Sequence, residues 1–387
     1  MKVLKICIGE WKNASHDKRE LSAVREMGHE VEVVAKGPQS GVVEVVDGFT
    51  VTRLTTRPLG EKIPNAINRA ISMLTWASYV RKRNDIDVIS GHDYLALTIG
   101  YMSNIGKKRK AILVYDSHEF ELERNHSRSK LALWTIAHLE RFLMKHCAFS
   151  LMVSDSIADE VQRIHGLEER PVVVRNTPSF WKLDQERIQQ TRQEILSAMG
   201  LPEETFLIMF HGAWRVDNGV EHALEAVARI PGTAAAVVGP EMPELKGHFQ
   251  QMVQDLGIAD RVYFHPPVPL EELYRYVGAA NVGVVVLPPV NKNNLWALPN
   301  KLFENIQSMT PIVASNNPEI GRIVTEYGIG ICIDPNNMDE MIAAVQKMQS
   351  DKVFYASCKE NIKAAKEELC WEKEKEKLIA AYSRILS

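Results

Sequence analysis

The sequence predicts an α/β protein made of two doubly wound domains, each with a parallel sheet between layers of helices. Two observations carry this prediction. The chain has 387 residues, which is more than one hydrophobic core usually holds. Short apolar runs also alternate with helical patterns twice along the chain, which is typical of parallel strands joined by helices. We place the first domain at residues 1–175 and the second at residues 200–366.

The first domain contains a predicted hairpin and several strands that alternate with helices. Residues 3–8 form an almost continuous apolar run, which is typical of a buried parallel strand. Asp47-Gly48 predicts the turn of the hairpin. Ile67, Ile71, Leu74 and Ser78 recur at helical spacing on one stripe and predict a helix. We predict strands at residues 3–8, 30–35, 42–46, 50–54, 88–90, 111–115 and 150–153, and helices at residues 18–28, 65–82, 131–145 and 156–164.

The polar segment 172–204 separates the two series of elements. Its charged helix has a poor apolar face, so we interpret the segment as the connection between the domains. The second series then forms a complete doubly wound domain. We predict strands at residues 206–211, 234–239, 262–265, 282–287, 312–314 and 330–333, helices at residues 219–229, 244–256, 270–277, 300–309 and 338–349, and a charged terminal helix at residues 367–386.

Composition and charge argue against several classes of protein. The formal net charge is −3, so no overall electrostatic signal indicates a nucleic-acid partner. The five cysteines are far apart and include no C-x-x-C pair, which argues against a structural zinc site and a disulfide framework. The opening residues do not form a signal peptide, and no window approaches 18 uninterrupted apolar residues. We therefore expect a reduced, cytoplasmic protein.

Two nucleotide-binding fingerprints are missing from the sequence. No G-x-G-x-x-G follows a predicted strand, so a dinucleotide-dependent dehydrogenase loses its best support. No G-x-x-x-x-G-K-[ST] occurs either, which argues against a P-loop nucleotidase. Ligands should nonetheless bind at the carboxyl ends of the parallel strands, and two such domains facing each other would form one deep cleft there.

The stretch Leu298-Pro299-Asn300-Lys301 predicts a phosphate-binding helix N-terminus in the second domain. Proline at a helix start leaves free backbone N–H groups at the positive end of the helix dipole, and such a site binds phosphate oxygens. Lys301 adds a cation in the first turn, where the dipole disfavours it unless an anion lies nearby. Glu304 sits one turn further on and could accept hydrogen bonds from ribose hydroxyls. Alternatively, Lys301 and Glu304 form an ordinary pair on the helix surface.

Two other strand ends of the second domain support the same location. Gly212 follows the predicted strand 206–211, and Arg215, three residues later, could bind a diphosphate through two hydrogen bonds. Gly239 ends the next strand, where the absence of a side chain would let the backbone approach a flat base. Both glycines and residues 298–301 should lie on one edge of a parallel sheet, and this convergence is stronger than any single motif.

These stretches carry a resemblance that covers nearly the whole chain. The chain resembles the family 4 retaining glycosyltransferases of the GT-B fold, in which two Rossmann-like domains face each other across a cleft. The run from Pro299 to Glu304, followed by the run from Pro311 to Ser315, is the most specific match. The other matching stretches are Tyr115-Asp116-Ser117-His118-Glu119, residues 210–215, Asn218-Gly219-Val220-Glu221 and Trp371-Glu372.

The resemblance implies an activity and a set of ligands. It implies that the C-terminal domain binds a UDP- or GDP-sugar donor and that the N-terminal domain holds a saccharide or lipid-linked acceptor. The sugar would be transferred with retention of its anomeric configuration, in the synthesis of cell-surface glycans. No Asp-x-Asp motif follows an apolar strand of the second domain, so we expect Arg215 and Lys301 to neutralise the diphosphate without a metal ion or other cofactor. The terminal helix at residues 367–387 would pack back on the N-terminal domain.

Two positions depart from the family pattern. The family often has an E-x7-E pair, of which Glu304 matches the second glutamate, whereas Trp296 stands in place of the first. The family also binds the diphosphate with an arginine and a lysine. Arg215 matches the arginine, but Asn218 stands in place of the lysine. We expect Lys301 to supply the missing charge.

Candidate residues of the first domain follow its predicted strands. By the resemblance, His118 lies near the transferred sugar and hydrogen-bonds a sugar hydroxyl or the departing phosphate. The alternative is that Asp116, His118 and Glu119 only hold a loop in place. Together with Arg215, Lys301 and Glu304, His118 completes the set that we expect to act in catalysis. The residues that we expect to contact the acceptor are Trp11, His16, Asp17, Asp93 and Glu119.

Basic residues gather in the first domain between Arg69 and residues 107–110. Residues 1–150 carry 23 Lys and Arg against 17 Asp and Glu. With Met73, Leu74 and Trp76, the basic residues could form an amphipathic surface in peripheral contact with the inner face of the cell membrane. Charge runs are usually solvated, so an ordinary solvated face stays open as the alternative.

Two other functions stay open from the sequence alone. A sugar-nucleotide epimerase of the same fold would bind one substrate and no acceptor. A noncatalytic sugar-nucleotide-binding subunit of a polysaccharide assembly would bind the same ligand and turn nothing over.

Overall fold

The chain folds into two compact units. The computed structural model describes residues 1–123, 128–216 and 218–386. Unit 1 comprises residues 1–175 together with the end of the chain from Glu374, and unit 2 comprises Asn176–Lys373. The last helix therefore begins in unit 2 and continues into unit 1.

Unit 1 is built on an eight-stranded sheet in its described residues. Its elements are β1 (Lys2–Cys7), α1 (Ser15–Glu26), β2 (Glu30–Lys36), β3 (Val42–Val46), β4 (Phe49–Leu54), α2 (Asn65–Arg81), β5 (Val88–His92), α3 (Asp93–Asn104), β6 (Ile112–Asp116), α4 (Lys130–Met144), β7 (Phe149–Met152), α5 (Asp155–His165) and β8 (Val172–Val173). The strand order is β3-β4-β2-β1-β5-β6-β7-β8. Neighbouring strands are parallel except for β3 and β4, which form the hairpin that Asp47-Gly48 predicts.

Unit 2 is built on a six-stranded parallel sheet in the part that the structure describes. Its elements are α6 (Gln185–Ala198), β9 (Phe206–His211), α7 (Val220–Arg229), β10 (Thr233–Val238), α8 (His248–Asp255), β11 (Val262–His265), α9 (Leu270–Gly278), β12 (Val282–Val285), α10 (Lys292–Leu295), α11 (Asn300–Gln307), β13 (Ile312–Ser315), α12 (Pro318–Tyr327), β14 (Gly330–Ile333), α13 (Met338–Ser350), α14 (Lys352–Glu368) and the shared α15 (Trp371–Leu386). The strand order is β11-β10-β9-β12-β13-β14.

Both units are α/β domains on largely parallel sheets, which confirms the predicted fold class. Parallel strands covered on both faces are apolar throughout, and every residue of β9 is buried. The strand order reverses between β1 and β5 in unit 1 and between β9 and β12 in unit 2. At such a switch point the loops leave the carboxyl ends of two strands in opposite directions and open a crevice for a ligand.

Five of the described helices differ from the predictions. The apolar pattern does not indicate α3, which begins directly after β5, nor the short α10, nor α12 and α14, of which α14 is highly charged. The polar composition of segment 172–204 predicts a connection between the domains, but its helix α6 belongs to unit 2. Arg192 of α6 donates hydrogen bonds to the carbonyl oxygens of Thr205 and Ala279, so α6 is fixed to that domain.

Helix α2 forms as predicted, but the apolar stripe that predicts it is not its buried face. Ile67 and Leu74 are 49% and 58% exposed, whereas Asn68 and Trp76 are buried. The reason is that the inward face of α2 makes polar contacts, such as the 2.9 Å hydrogen bond from Trp76 Nε1 to the Thr55 carbonyl oxygen. Burial of Trp76 also contradicts its expected place on a membrane-facing surface. Over the described ranges, no helix has both the length and the apolar character needed to cross a bilayer.

Candidate functional site

The first cluster of candidate residues lies at the switch point of unit 2, where α11 begins beside the end of β9. The side chain of Lys301 runs past Gly212, since a Cβ atom at position 212 would lie 3.6 Å from its Cδ. The Lys301 ammonium donates to Asn218, at 3.0 Å from the backbone oxygen and 3.1 Å from the side-chain oxygen. It also lies 4.4 Å from the centre of the Phe210 ring. The side chain of Lys301 therefore lies over the carboxyl end of β9.

The contact between Lys301 and Asn218 bears on the missing lysine of the family pattern. Asn218 stands at the position of that lysine, and the ammonium of Lys301 lies beside it. Burial lowers the pKa of Lys301 to about 7, although Glu304 and Glu221 act in the opposite direction. A bound anion would favour the protonated form and raise that pKa.

Glu304 lies one turn further along α11 and pairs with a histidine that the sequence analysis did not select. His211 Nε2 is 2.9 Å from Glu304 Oε2, and this pair replaces the surface pair with Lys301 that the sequence left open. His211 is 2% exposed, whereas the side chain of Glu304 is 13% exposed. A polar residue at the carboxyl end of an otherwise apolar strand is the signal that could have identified His211.

The structure brings together only some of the other residues selected in unit 2. Gly239 lies against Gly212, because a Cβ atom on Gly239 would be 2.0 Å from the Gly212 carbonyl oxygen. Position 239 therefore requires a glycine, because the loops after β9 and β10 approach each other too closely for a side chain. Arg215 is exposed and makes no hydrogen bond or ion pair with the described residues.

The N-terminus of α11 has the form that its sequence predicts. Pro299 is the N-cap residue, and Asn300 is the first helical residue. The side-chain oxygen of Asn300 accepts a 3.0 Å hydrogen bond from Asn176 Nδ2. The side chain of Leu298 is buried in the core of unit 2, which leaves only its backbone for a ligand.

The second cluster lies at the switch point of unit 1 and is centred on Lys5 of β1. The Lys5 ammonium is fully buried and forms ion pairs with Asp17 at 2.8 Å, with Asp116 at 2.6 Å and with Glu20. Burial alone would lower the pKa of Lys5, but the three carboxylates hold it well above its ordinary value. Burial would likewise raise the pKa values of Asp17 and Asp116, but Lys5 keeps both below their ordinary value.

Two histidines form the accessible side of this Lys5 cluster. His92 Nδ1 is 3.0 Å from Asp17 Oδ1, and His118 Nε2 is 3.0 Å from Asp116 Oδ2. Their ring centres are 4.1 Å apart, and each side chain is about one fifth exposed. Burial would lower the pKa of His92, but the hydrogen bond and charge of Asp17 raise it to about 9. At neutral pH the cluster therefore presents an imidazolium beside His118.

The residues expected to contact the acceptor occupy different positions in unit 1. Trp11 is fully buried against Phe49, so the prediction that it meets a ligand is wrong. His16 and Asp17 are 5% and 0% exposed, so both side chains are covered: His16 packs against the His118 ring, and Asp17 pairs with His92. The remaining two lie beside these histidines in the sequence: Asp93 directly after His92, and Glu119 directly after His118.

The same cluster has the spacing of a metal site. Asp17, His92, Asp116 and His118 present ligand atoms within 4.8 Å of one another. The ammonium of Lys5 already lies between the two carboxylates. This single ammonium offsets only part of the negative charge of the carboxylates, and a divalent ion would have to bind against its repulsion.

The raised pKa of His92 predicts a pH-dependent stability of unit 1. In the unfolded chain His92 titrates near 6.5, and in the folded protein near 9. Its protonation therefore stabilises the fold fully below pH 6.5, and this stabilisation is lost as the pH rises to about 9. It amounts to at most about 3 kcal/mol. Urea unfolding at pH 6.5 and 9 should show a smaller decrease for His92→Gln than for the wild type.

The exposed His138 provides the matched control for this measurement. His138→Gln should keep the decrease of the wild type. Equal decreases in the wild type and in His92→Gln would contradict the ion pair with Asp17.

Two family models match the chain, one on each side of the boundary between the units. Residues 19–177 match the glycosyl transferase 4-like domain, and residues 191–367 match the glycosyl transferases of group 1. The chain belongs to the group 1 glycosyltransferases. This membership confirms the resemblance and makes the chain an enzyme that transfers a hexosyl-type group.

The glycosyltransferase is similar to curated proteins over most of its length. It is 24% identical over 357 residues to an uncharacterized glycosyltransferase of Methanocaldococcus jannaschii, covering 88% of this chain and 86% of that protein. It is 23% identical over 379 residues to the D-inositol 3-phosphate glycosyltransferase of Mycobacterium marinum, covering 93% of this chain and 78% of that protein.

Solved structures support the GT-B fold of the glycosyltransferase. Sucrose-phosphate synthase of Thermosynechococcus elongatus superimposes with a TM-score of 0.75 at 16% identity, over 100% of this chain and 99% of that one. HepE of Anabaena, in complex with UDP, gives a TM-score of 0.74 at 15% identity, over 100% and 98%. At these identities the likeness establishes the fold, and the ligand of HepE is a property of HepE.

Proposed function

We propose that this glycosyltransferase moves a sugar from a UDP-sugar to a saccharide or lipid-linked acceptor, with retention of configuration, in the synthesis of cell-surface glycans. The observation that carries the proposal is Lys301, whose ammonium lies over the strand end of β9 at the N-terminus of α11. UDP is favoured as the nucleotide because HepE, with the same fold, has been solved with UDP.

The donor side of the reaction needs positive charge where the diphosphate departs. Fixed cations and backbone N–H groups that face a developing negative charge lower the barrier of such a step. Lys301 and the first N–H groups of α11 supply these groups in unit 2. Arg215 is exposed and free to move to the diphosphate when the donor binds. With these groups the donor is held without a metal ion, so a chelator should leave turnover unchanged.

The acceptor side is assigned to the Lys5 cluster of unit 1. His118 hydrogen-bonds a hydroxyl of the transferred sugar, and Asp116 orients its ring through the 3.0 Å contact at Nε2. Asp93 and Glu119 adjoin the two exposed histidines and contact the acceptor. Retention follows from the family 4 resemblance of the sequence. We assign no protein nucleophile to the reaction.

Glu304→Gln should raise the KM for the donor by about tenfold or more, because the carboxylate would lose charge-assisted hydrogen bonds from the ribose hydroxyls. The fold should survive, since glutamine keeps the shape of the side chain and can still contact His211. Steady-state kinetics with UDP-glucose measure the effect. Glu326→Gln, on the exposed face of α12, is the control. An unchanged KM in Glu304→Gln would remove this residue from the donor site.

Incubation with radiolabelled UDP-sugars and a panel of saccharide acceptors tests the proposal as a whole. A transferase forms a new glycoside with the anomeric configuration of the donor, and hydrolyses the donor slowly when no acceptor is present. An isomerised UDP-sugar would identify an epimerase, and binding without any turnover would identify a noncatalytic subunit. NMR of the glycoside decides between retention and inversion.

A further inference from the structure

Unit 1 contains a cavity whose lining includes none of the residues of the Lys5 cluster. Its volume is about 350 Å³, and α2 and α3 form two of its sides. Ile8, Lys36 and Thr56, which follow or end β1, β2 and β4, complete the lining at the carboxyl edge of the sheet. This is the edge at which doubly wound domains bind their ligands.

The lining of the cavity carries positive charge without a matching negative charge. Lys36, Arg57 and Arg69 are the charged side chains among its described lining residues, and no carboxylate is present there. The side chains of Lys36 and Arg69 make no hydrogen bond or ion pair with any residue that the structure describes. Arg57 donates a 3.3 Å hydrogen bond to the neutral side chain of Asn65, and its one ion pair, with Glu61 at 3.8 Å, involves a side chain that is 89% exposed. Three such cations attract an anion to this cavity.

The walls of the cavity are held by buried polar contacts. Asn68 is 1% exposed, donates to the carbonyl oxygens of Gly60 and Ile63 and accepts from the N–H of Leu59. It thereby fixes the loop before α2. Trp76 ties α2 to the chain after β4 through its indole N–H. A pocket with fixed walls can bind a small ligand without first ordering the loop.

The size and the remaining lining of the cavity narrow the class of ligand. Ligand pockets usually range from about 300 to 1,000 Å³, so this cavity is suited to a single sugar or polyol ring with one anionic group. Met73, Leu95 and Ile99 form an apolar wall against which the carbon face of such a ring can pack. A wider depression of about 1,020 Å³ shares Lys36 and Arg57 and leaves room for the rest of a longer molecule.

We infer that this cavity binds a phosphate monoester or diester on the acceptor, with Lys36, Arg57 and Arg69 around the phosphate and the sugar or polyol ring on the apolar wall. The inference rests on the proposed function, which assigns the acceptor to unit 1. Phosphate, above all as a monoester, is favoured over carboxylate because three cations line the cavity. A phosphate monoester offers them three terminal oxygens and a charge of about −1.5 to −2, whereas a carboxylate offers two oxygens and one charge. The phosphate could belong to a free sugar phosphate or to a lipid headgroup.

Titration calorimetry in the presence of saturating UDP tests this inference, because UDP blocks the donor site against phosphate. The probes are glucose 1-phosphate, glucose 6-phosphate and inorganic phosphate, each compared with glucose. Binding of at least one phosphate probe, weakened about tenfold or more by Arg69→Gln or Lys36→Gln, is the expected result for a free phosphate. Flotation with vesicles of phosphatidylcholine alone, or with one fifth phosphatidic acid, tests the lipid source with the same variants.

Lys82→Gln is the matched control for charge. Lys82 is exposed at the C-terminal end of α2, about 20 Å along the helix from Arg69, beyond the range of screened electrostatics. The Lys82→Gln variant should bind the phosphate probes and the vesicles with the affinity of the wild type. If neither the phosphate probes nor the acidic vesicles bind in an Arg69-dependent way, the inference is overturned.

The same samples separate this inference from the proposed function. Hydrolysis of UDP-glucose by the wild type, together with no Arg69-dependent binding of either the phosphate probes or the acidic vesicles, would overturn only the cavity assignment. Arg69-dependent phosphate binding together with no turnover of any UDP-sugar would overturn only the proposed transfer reaction.

Discussion

Lys301→Ala is expected to lower kcat by about a hundredfold and to weaken the binding of UDP, since losing one well-placed stabilising group costs about 3 kcal/mol in the transition state. The ammonium lies beside Asn218, at the position where the family clamp has its lysine, and at the start of α11. Among the described residues of unit 2, no other cationic side chain lies both beside Asn218 and at the start of α11. Steady-state kinetics and calorimetry with UDP measure the two effects.

Because Lys301 must be protonated to attract the diphosphate, the affinity for UDP should depend on pH. The pKa of Lys301 is about 7 before a ligand binds. A bound diphosphate stabilises the charged form, so binding must take up a proton wherever the free lysine is neutral. The affinity of the wild type for UDP should therefore fall as the pH rises above 7. Lys301→Ala should lose this part of the pH dependence.

Two variants control the Lys301 experiment. Lys347 also holds its ammonium 4.4 Å from an aromatic ring, that of Phe354, but it is exposed on α13. Lys347→Ala should keep the wild-type kcat. Adding Asn218→Lys to Lys301→Ala should restore part of the loss, because it returns the charge to its usual family position. A change in kcat of less than about threefold in Lys301→Ala would match an exposed pair and refute the assignment.

Lys5→Met should destabilise unit 1 by about 3–5 kcal/mol, because removal of one partner leaves buried charge uncompensated. One ammonium is shared by three carboxylates here, and Asp17 and Asp116 in turn hold the two histidines. Without Lys5 the buried carboxylates should bind protons, so the variant should recover stability as the pH falls. Urea unfolding measures the loss, and hydrogen exchange in peptides from β1 and α1 locates it.

Tyr382→Phe is the control for this second prediction. The Tyr382 hydroxyl of α15 donates to Glu20 within the same cluster, so its removal costs one hydrogen bond, or about 1 kcal/mol. A loss in Lys5→Met that is no larger than the loss in Tyr382→Phe would show that the ion pairs contribute little.

The fold could be predicted well because its strands are apolar runs with clear boundaries. The fully buried β9 is an example, since its six residues Phe206–His211 match the predicted range. The face of α2 could not be predicted in this way. Its buried side carries Asn68 and Ser72, whose partners lie in the loop just before the helix and in the backbone of the helix itself, so the spacing of its apolar residues indicates the wrong face.

The candidate site could be predicted where a local motif marks it. The helix start at Pro299 and the cation at Lys301 follow from the sequence, and the resemblance drew attention to Asn218. His92 and His211 were missed because each acquires its partner from a distant segment, Asp17 and Glu304 respectively. Lys5 inside an apolar strand was a visible signal, but its three carboxylate partners become apparent only when β1, α1 and β6 pack together.

A crystal structure of the chain with UDP tests most directly whether Lys301 and the N-terminus of α11 hold the donor diphosphate. The predicted result places a diphosphate oxygen within about 3 Å of Lys301 Nζ and the ribose hydroxyls on the carboxylate of Glu304. UDP bound away from α11, with Lys301 still donating to Asn218, would contradict it.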